Sequence, residues 1–158
     1  TELPLDGTTV WITDVEPDAL AVARANLAGV GRAAVNVRVE QGSWFDALPA
    51  GERFDVIVAN PPYVAVGSRD LDDSVRDWEP SRALLAGPDG LDDLRSIIAG
   101  APAHLARDGR LVLEIGADQG GAVADLLTTG RFRDVEIRSD LAGRDRIAIG
   151  RRPVRPAG

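Results

Sequence analysis

The chain has 158 residues, 44% of them apolar, with 25 acidic against 18 basic residues, a net charge of −7 and a pI near 4.7. That length supports one domain with a sizeable core, and the acidity argues against a broad phosphate-binding surface. The absence of cysteine excludes disulfides and thiolate metal sites, and the single histidine, His104, cannot by itself form a histidine zinc site.

No apolar run approaches the length of a membrane span, and no charged-then-apolar leader opens the chain. The expectation is a cytoplasmic protein without a membrane partner. Along the chain, apolar runs of strand length alternate with helical patterns. Thr8 to Thr13 is a β-rich run ending at Asp14. Pro17 to Leu27 reads as a helix. Pro17 suits its first turn, Leu20, Ala23 and Leu27 share one face, and Gly29 and Gly31 end it. Val35, Val37 and Val39 alternate in strand period along residues 34–40, and Phe54 to Ala59 is a near-continuous apolar run, the pattern of a strand buried on both faces. Residues 64–90 form a long loop rich in charge and turn residues. Leu91, Leu94, Ile98, Ala101 and Leu105 then mark an amphipathic helix, which Pro102 should kink or end early. Asp108-Gly109 is a turn, Arg110 to Ile115 a strand and Asp118 to Thr128 a helix. Arg133 to Arg138 and Arg146 to Gly150 read as two final strands, joined closely enough to pair antiparallel. The expected domain covers residues 1–150, followed by a frayed Arg/Pro-rich tail at 151–158.

Alternating strands and helices imply an α/β sandwich with a mainly parallel sheet. Ligands of such sheets sit beyond the carboxyl ends of the strands, so the polar residues there carry the chemistry. Asn60-Pro61-Pro62-Tyr63 follows the apolar strand immediately. Two prolines remove two backbone donors and stiffen the turn. The Asn60 amide oxygen and the Pro61 carbonyl can both accept from a planar NH2 group, and Tyr63 offers a flat face to it. An sp2 amino group is a poor nucleophile because its lone pair is delocalised. Holding both N–H bonds aims that lone pair at an electrophile, and the acceptors stabilise positive charge developing on nitrogen. The bland alternative is a proline turn that happens to end a strand.

Asp14 ends an earlier strand, where a carboxylate can accept both hydroxyls of a ribose; the alternative is a local turn or cap for the helix at Pro17. In Gly42-Ser43-Trp44-Phe45, Trp44 either covers an adenine ring or is a core aromatic at a strand end. The 64–90 loop, with Asp70, Asp72, Asp73, Asp77 and Glu79 around Trp78, is long enough to read as a substrate-side lid, against a solvated charge run. Glu114, a charge in an apolar strand, calls for a buried or site-facing partner. His104 reads as a surface helix residue without a role.

Taken together these residues resemble the HemK/PrmC family, the glutamine N5-methyltransferases of peptide chain release factors. The matching elements are Asp14, Trp44-Phe45, Phe54-Asp55 through Asn60-Pro61-Pro62-Tyr63, Glu79-Pro80 with Ala83-Leu84, Gly87 with Asp89-Gly90-Leu91, Arg95, Glu114-Ile115-Gly116 with Gln119, and Asp140 with Gly143 and Arg146. Asn-Pro-Pro-Tyr alone is shared with DNA adenine methylases and several RNA methylases; the combination is more specific. The resemblance implies a Rossmann-like class I methyltransferase sandwich. It also implies that Asp14, Trp44 and Asn60 contact S-adenosyl-L-methionine, and that Asn60, Pro61, Pro62 and Tyr63 hold the glutamine amide. Ser43 stands where many relatives have aspartate. The family's first strand, glycine-rich cofactor loop and N-terminal helical domain are expected upstream of Thr1.

That first strand would lie at the sheet centre, between the strands at 8–14 and 54–59, which are expected either to stay apart or to pair directly. Two other functions share the motif: a nucleic-acid N-methyltransferase acting on adenine or guanine, which acidity and the lack of a basic segment disfavour, and a methyltransferase-like remnant acting as a cofactor-free binding module.

Overall fold

A computed structural model describes residues 7–63 and 87–153 of the chain. The elements in order are β1 (Val10–Asp14), α1 (Pro17–Val30), a 3-10 turn (Gly31–Ala34), β2 (Val37–Gln41), β3 (Phe54–Ala59), α2 (Asp92–His104), β4 (Leu105–Glu114), α3 (Gly120–Thr129), β5 (Arg133–Ser139) and β6 (Asp145–Arg151). They fall into two compact units, one ending at Glu52 and the other starting at Arg53.

In the first unit β1 and β2 pair in parallel, with Val10 opposite Val37 and Asp14 opposite Gln41, and α1 packs on both. Proline at the start of α1 costs no hydrogen bond, because the first N–H groups of a helix have no partner within it. Leu20 is buried, with Ala23 and Leu27 the next most covered, so the predicted face is the one that packs. Gly29 does not end α1. The helix runs on to Val30 and stops at Gly31, whose φ of +67° a side chain would resist. The expected strand over 34–40 starts later, at Val37, because the Gly31–Ala34 turn takes up its first residue; Val35 falls before the strand and is exposed.

In the second unit the strand order is β3-β4-β6-β5. β3 and β4 are parallel, and β6 is antiparallel to both β4 and β5. The core comes from one face of α2 (Leu94, Ile97, Ile98, Ala101), from Val123 and Leu127 of α3, and from Leu105, Leu111 and Leu113 of β4, all buried. α2 packs on β4 and α3, and α3 packs on β5 and β6. Pro102 sits in the last turn of α2, which ends two residues later at His104, so Leu105 opens β4 rather than closing the helix. The Asp108-Gly109 turn is a bulge in β4: Phe54 pairs with Leu105, yet Val56 pairs with Arg110. Asp108 there has φ +63°.

One expectation is corrected. β3 is not buried on both faces: Val56 is 54% and Val58 74% exposed, and β3 pairs only with β4 among the described residues. β6 runs to Arg151, and the Arg152 N–H donates to the Gly109 carbonyl (2.8 Å). The strands at 8–14 and 54–59 lie in different sheets and do not pair directly. Most of the predicted lid, residues 64–86, and the last five residues of the tail lie outside the described residues.

Candidate active site

In the first unit the parallel strands deliver their carboxyl ends together. The Gly42 N–H donates to the Asp14 carbonyl (3.0 Å), tying the chain after β2 to the end of β1. Asp14 is half-buried, and its Oδ1 accepts from the Glu16 N–H (2.8 Å). The local turn that the sequence allowed is therefore formed, and it leaves Oδ2 without a hydrogen bond among the described residues.

Beyond β2 the chain curls tightly. The Asp46 N–H donates to Ser43 O (2.9 Å) and the Leu48 N–H to Phe45 O (3.1 Å). A Cβ at Gly42 would lie 2.9 Å from the Ala47 backbone nitrogen, so only glycine permits that approach. Trp44 rides on this curl with φ +45° and a half-buried ring, and it shares the carboxyl end of the β1–β2 pair with Asp14. A groove of about 840 Å³ on this unit is lined by Arg24, Leu27, Ala28, Val35, Val37 and Val39, and includes none of the predicted site residues.

In the second unit Asn60 follows β3 at its carboxyl end, next to the end of β4, since Ala59 pairs with Leu113. Asn60 is exposed, Pro61 fully buried, and Pro62 and Tyr63 half-buried. Burial of the Pro61 ring anchors the loop and leaves the Asn60 amide at the surface, with no hydrogen bond among the described residues. Across from it, the Glu114-Ile115-Gly116 segment ends β4. Glu114 is half-exposed, and among the described residues it has no ion pair, so the partner expected from the sequence is not found there.

The side chain that joins these segments is Gln119, 7% exposed. Its Oε1 accepts from the Gly116 N–H (2.9 Å), and its Nε2 donates to the carbonyls of Tyr63 (2.9 Å) and Gly90 (3.1 Å). The chemistry of the partners settles the amide orientation: one N–H needs an acceptor and two carbonyls need donors. Sequence reasoning marked Gln119 only as part of the family pattern. A glutamine just before a helix carries no local signal that its amide will be buried.

The neighbouring segment is held by charge. Both carboxylate oxygens of Asp89 accept from Arg95, and Asp89 Oδ1 also accepts from the Leu91 N–H (3.2 Å). The Arg95 guanidinium hydrogen-bonded to it holds the Asp89 carboxyl below its ordinary value. At the β5–β6 turn, Asp140 Oδ1 accepts from the N–H groups of Arg144 (3.0 Å) and Ala142 (2.8 Å). Those bonds lower its pKa, the Arg144 bond foremost. Arg146 Nη1 reaches the Ile115 carbonyl (3.4 Å). Asp89, Arg95, Asp140 and Arg146, all in the family pattern, thus act here in holding backbone turns. His104 is half-buried, and burial lowers its pKa.

A last strand inserted antiparallel between its predecessors is the sheet order of the class I S-adenosylmethionine-dependent methyltransferase fold, and the chain has that fold. A methyltransferase from Pyrococcus furiosus superposes with a TM-score of 0.66 at 16% identity, covering 92% of this chain and 64% of that one. Within the class, the chain is similar to the release factor glutamine methyltransferases. The one from Cereibacter sphaeroides is 49% identical over 142 residues, which are 89% of this chain and 50% of that protein. The solved release-factor-specific protein-(glutamine-N5) methyltransferase from Alicyclobacillus acidocaldarius is 26% identical with a TM-score of 0.50, covering 94% of this chain and 82% of that chain. The chain spans about half the length of the curated relatives it matches. No family profile matches it. Among the described residues, no helix is long and apolar enough to cross a membrane.

Proposed function

We propose that the protein transfers a methyl group from S-adenosyl-L-methionine to the side-chain amide nitrogen of a glutamine in a peptide chain release factor, in the cytoplasm. The observation that carries this reading is the Asn60–Tyr63 loop: a solvent-facing asparagine amide on a rigid proline turn whose first ring is buried. Such a loop can offer two fixed acceptors, the Asn60 oxygen and the Pro61 carbonyl, to one planar NH2 group. The half-buried Tyr63 ring offers a face for the amide to lie against. Fixing both N–H bonds orients the nitrogen lone pair, and the two acceptors stabilise the charge that nitrogen gains. The amide nitrogen sheds its extra proton readily once alkylated, so the chain needs no strong general base there.

The residues present suit the cofactor, which supplies an electrophilic sulfonium methyl group when bound. The remaining Asp14 oxygen can accept from a ribose hydroxyl. The Trp44 ring can cover the purine. Kinship with release factor glutamine methyltransferases supports a protein amide over a nucleobase as acceptor. The test is incubation of the protein with labelled cofactor, a release factor and DNA together. Label in a release factor glutamine is the expected result; label in DNA and not in protein would overturn the reading.

A further inference from the structure

The proline pair that makes the Asn60–Tyr63 loop rigid also leaves it short of backbone donors. Neither Pro61 nor Pro62 has an N–H, so the loop cannot tie its middle to the body of the protein by donating. It must be held by its buried ring and by donors from elsewhere. In the second unit one such donor is the Gln119 carboxamide, which reaches the Tyr63 carbonyl at the loop's far end. Pro61 anchors one end and Gln119 the other.

We infer that Gln119 is a positioning residue: by donating to the Tyr63 and Gly90 carbonyls while accepting from the Gly116 N–H, its amide sets the direction in which Asn60 and the Pro61 carbonyl face the substrate. The inference rests on the proposed reading of the loop as the amide-holding site. Three features make Gln119 a fixed strut. It is buried, so its bonds do not compete with water. Both its N–H groups and its carbonyl are used, so the amide cannot turn without breaking bonds. Gly116 leaves room for it: a Cβ there would lie 3.1 Å from Gln119 Oε1 and 3.2 Å from its Cδ, closer than such atoms ordinarily pack. Its second carbonyl partner, Gly90, follows Asp89, which Arg95 clamps. The strut therefore rests on the end of β4, through Gly116, and on the clamped segment before α2.

Glutamate is the informative substitution. Gln119→Glu preserves shape and the acceptor for Gly116, but it sets acceptor-only oxygens against two carbonyls. The chain has one tyrosine, Tyr63, so fluorotyrosine labelling gives a single fluorine signal from the loop itself. In Gln119→Glu and Gln119→Met that signal should move towards its position in the urea-unfolded chain. In Ile97→Val, which trims a buried side chain that makes none of the amide's hydrogen bonds, it should stay in place despite lowered stability. On acidification the Gln119→Glu signal should shift back part of the way, because a protonated carboxyl regains one donor; the parent should show no such return. In the unaltered protein the Gln119 carboxamide protons should exchange about tenfold or more slowly than those of Gln41, whose amide bonds Val15 O at an exposed site.

A Tyr63 signal unmoved in both folded Gln119 variants would overturn the inference, and so would Gln119 exchange as fast as that of Gln41. The exchange measurement decides the matter even if both variants fail to fold. In methyl transfer, Gln119→Glu should lower kcat with cofactor affinity unchanged. A parent protein inactive on release factors would count against the proposed function, while the fluorine and exchange results would still decide whether Gln119 holds the loop.

Discussion

Replacing Asn60 by alanine should slow catalysis while sparing the fold, and the structure sets the size of both effects. Asn60 is exposed and hydrogen-bonded to nothing among the described residues. Substitution at such a position changes stability by no more than about 0.5 kcal/mol. The loop itself persists, since the Pro61 ring stays buried and the Tyr63 carbonyl stays on Gln119. On the proposed function, what disappears is one of two acceptors for the substrate NH2, whose hydrogen bond strengthens as nitrogen becomes positive. A hydrogen bond involving a charged group contributes about 1.5–3 kcal/mol. With tenfold in rate for each ~1.4 kcal/mol, kcat should fall about 10- to 150-fold. Single-turnover methyl transfer from labelled cofactor to a release factor, alongside thermal denaturation, measures both quantities. A kcat within about twofold of the parent would refute the assignment of Asn60 as an amide acceptor. So would a loss of rate that simply tracked a loss of folded protein.

Asp14→Ala should weaken cofactor binding about tenfold or more, the loss of a charge-assisted hydrogen bond, with little change in kcat at saturation; unchanged affinity in a calorimetric titration would remove the ribose assignment. Leu113→Ala, which empties a fully buried position in β4, should destabilise the protein by about 2–5 kcal/mol in chemical denaturation. The single histidine gives a pH signature. Burial, with the nearby Arg53 charge adding to it, lowers the His104 pKa below 6.5 in the folded state. The unfolded chain then binds more protons than the folded one, so the neutral-pH stability falls as pH drops through that value. His104→Gln should flatten the denaturation midpoint between pH 7 and about pH 5. The carboxylates held low by Arg95, by the Arg144 backbone N–H and by Arg138, namely Asp89, Asp140 and Glu136, lose their contribution only at more acid pH. A slope in that window as steep in His104→Gln as in the parent would exclude the histidine as its source.

Much of this protein was legible from residue order alone, for local reasons. The apolar run before Asn60 marked β3 to the residue, because a strand's composition and its terminating prolines are both local. Pro17, Leu20, Ala23 and Leu27 marked α1 and the face it packs, because helical period is local as well. Asn60-Pro61-Pro62-Tyr63 announced a stiff loop at the end of β3, because two prolines leave the backbone little choice of shape.

What sequence pattern could not supply depends on what stands next to each segment in space. An apolar strand reads the same whether both its faces are covered or one is open, so the exposure of Val56 and Val58 had to be observed. The sequence leaves open whether Pro102 kinks its helix or ends it early; the structure places it in the last turn, two residues before the helix ends and the chain passes into β4. Asp89, Arg95, Asp140 and Arg146 are charged residues of a catalytic family's pattern, and only their partners show that here they hold turns. Gln119 is the clearest case. Its role comes from two carbonyls, one 56 residues earlier and one 29 residues earlier in the chain. No local periodicity encodes a bond of that span; packing against β4 brings the three segments together, and the buried amide then has only one way to satisfy them.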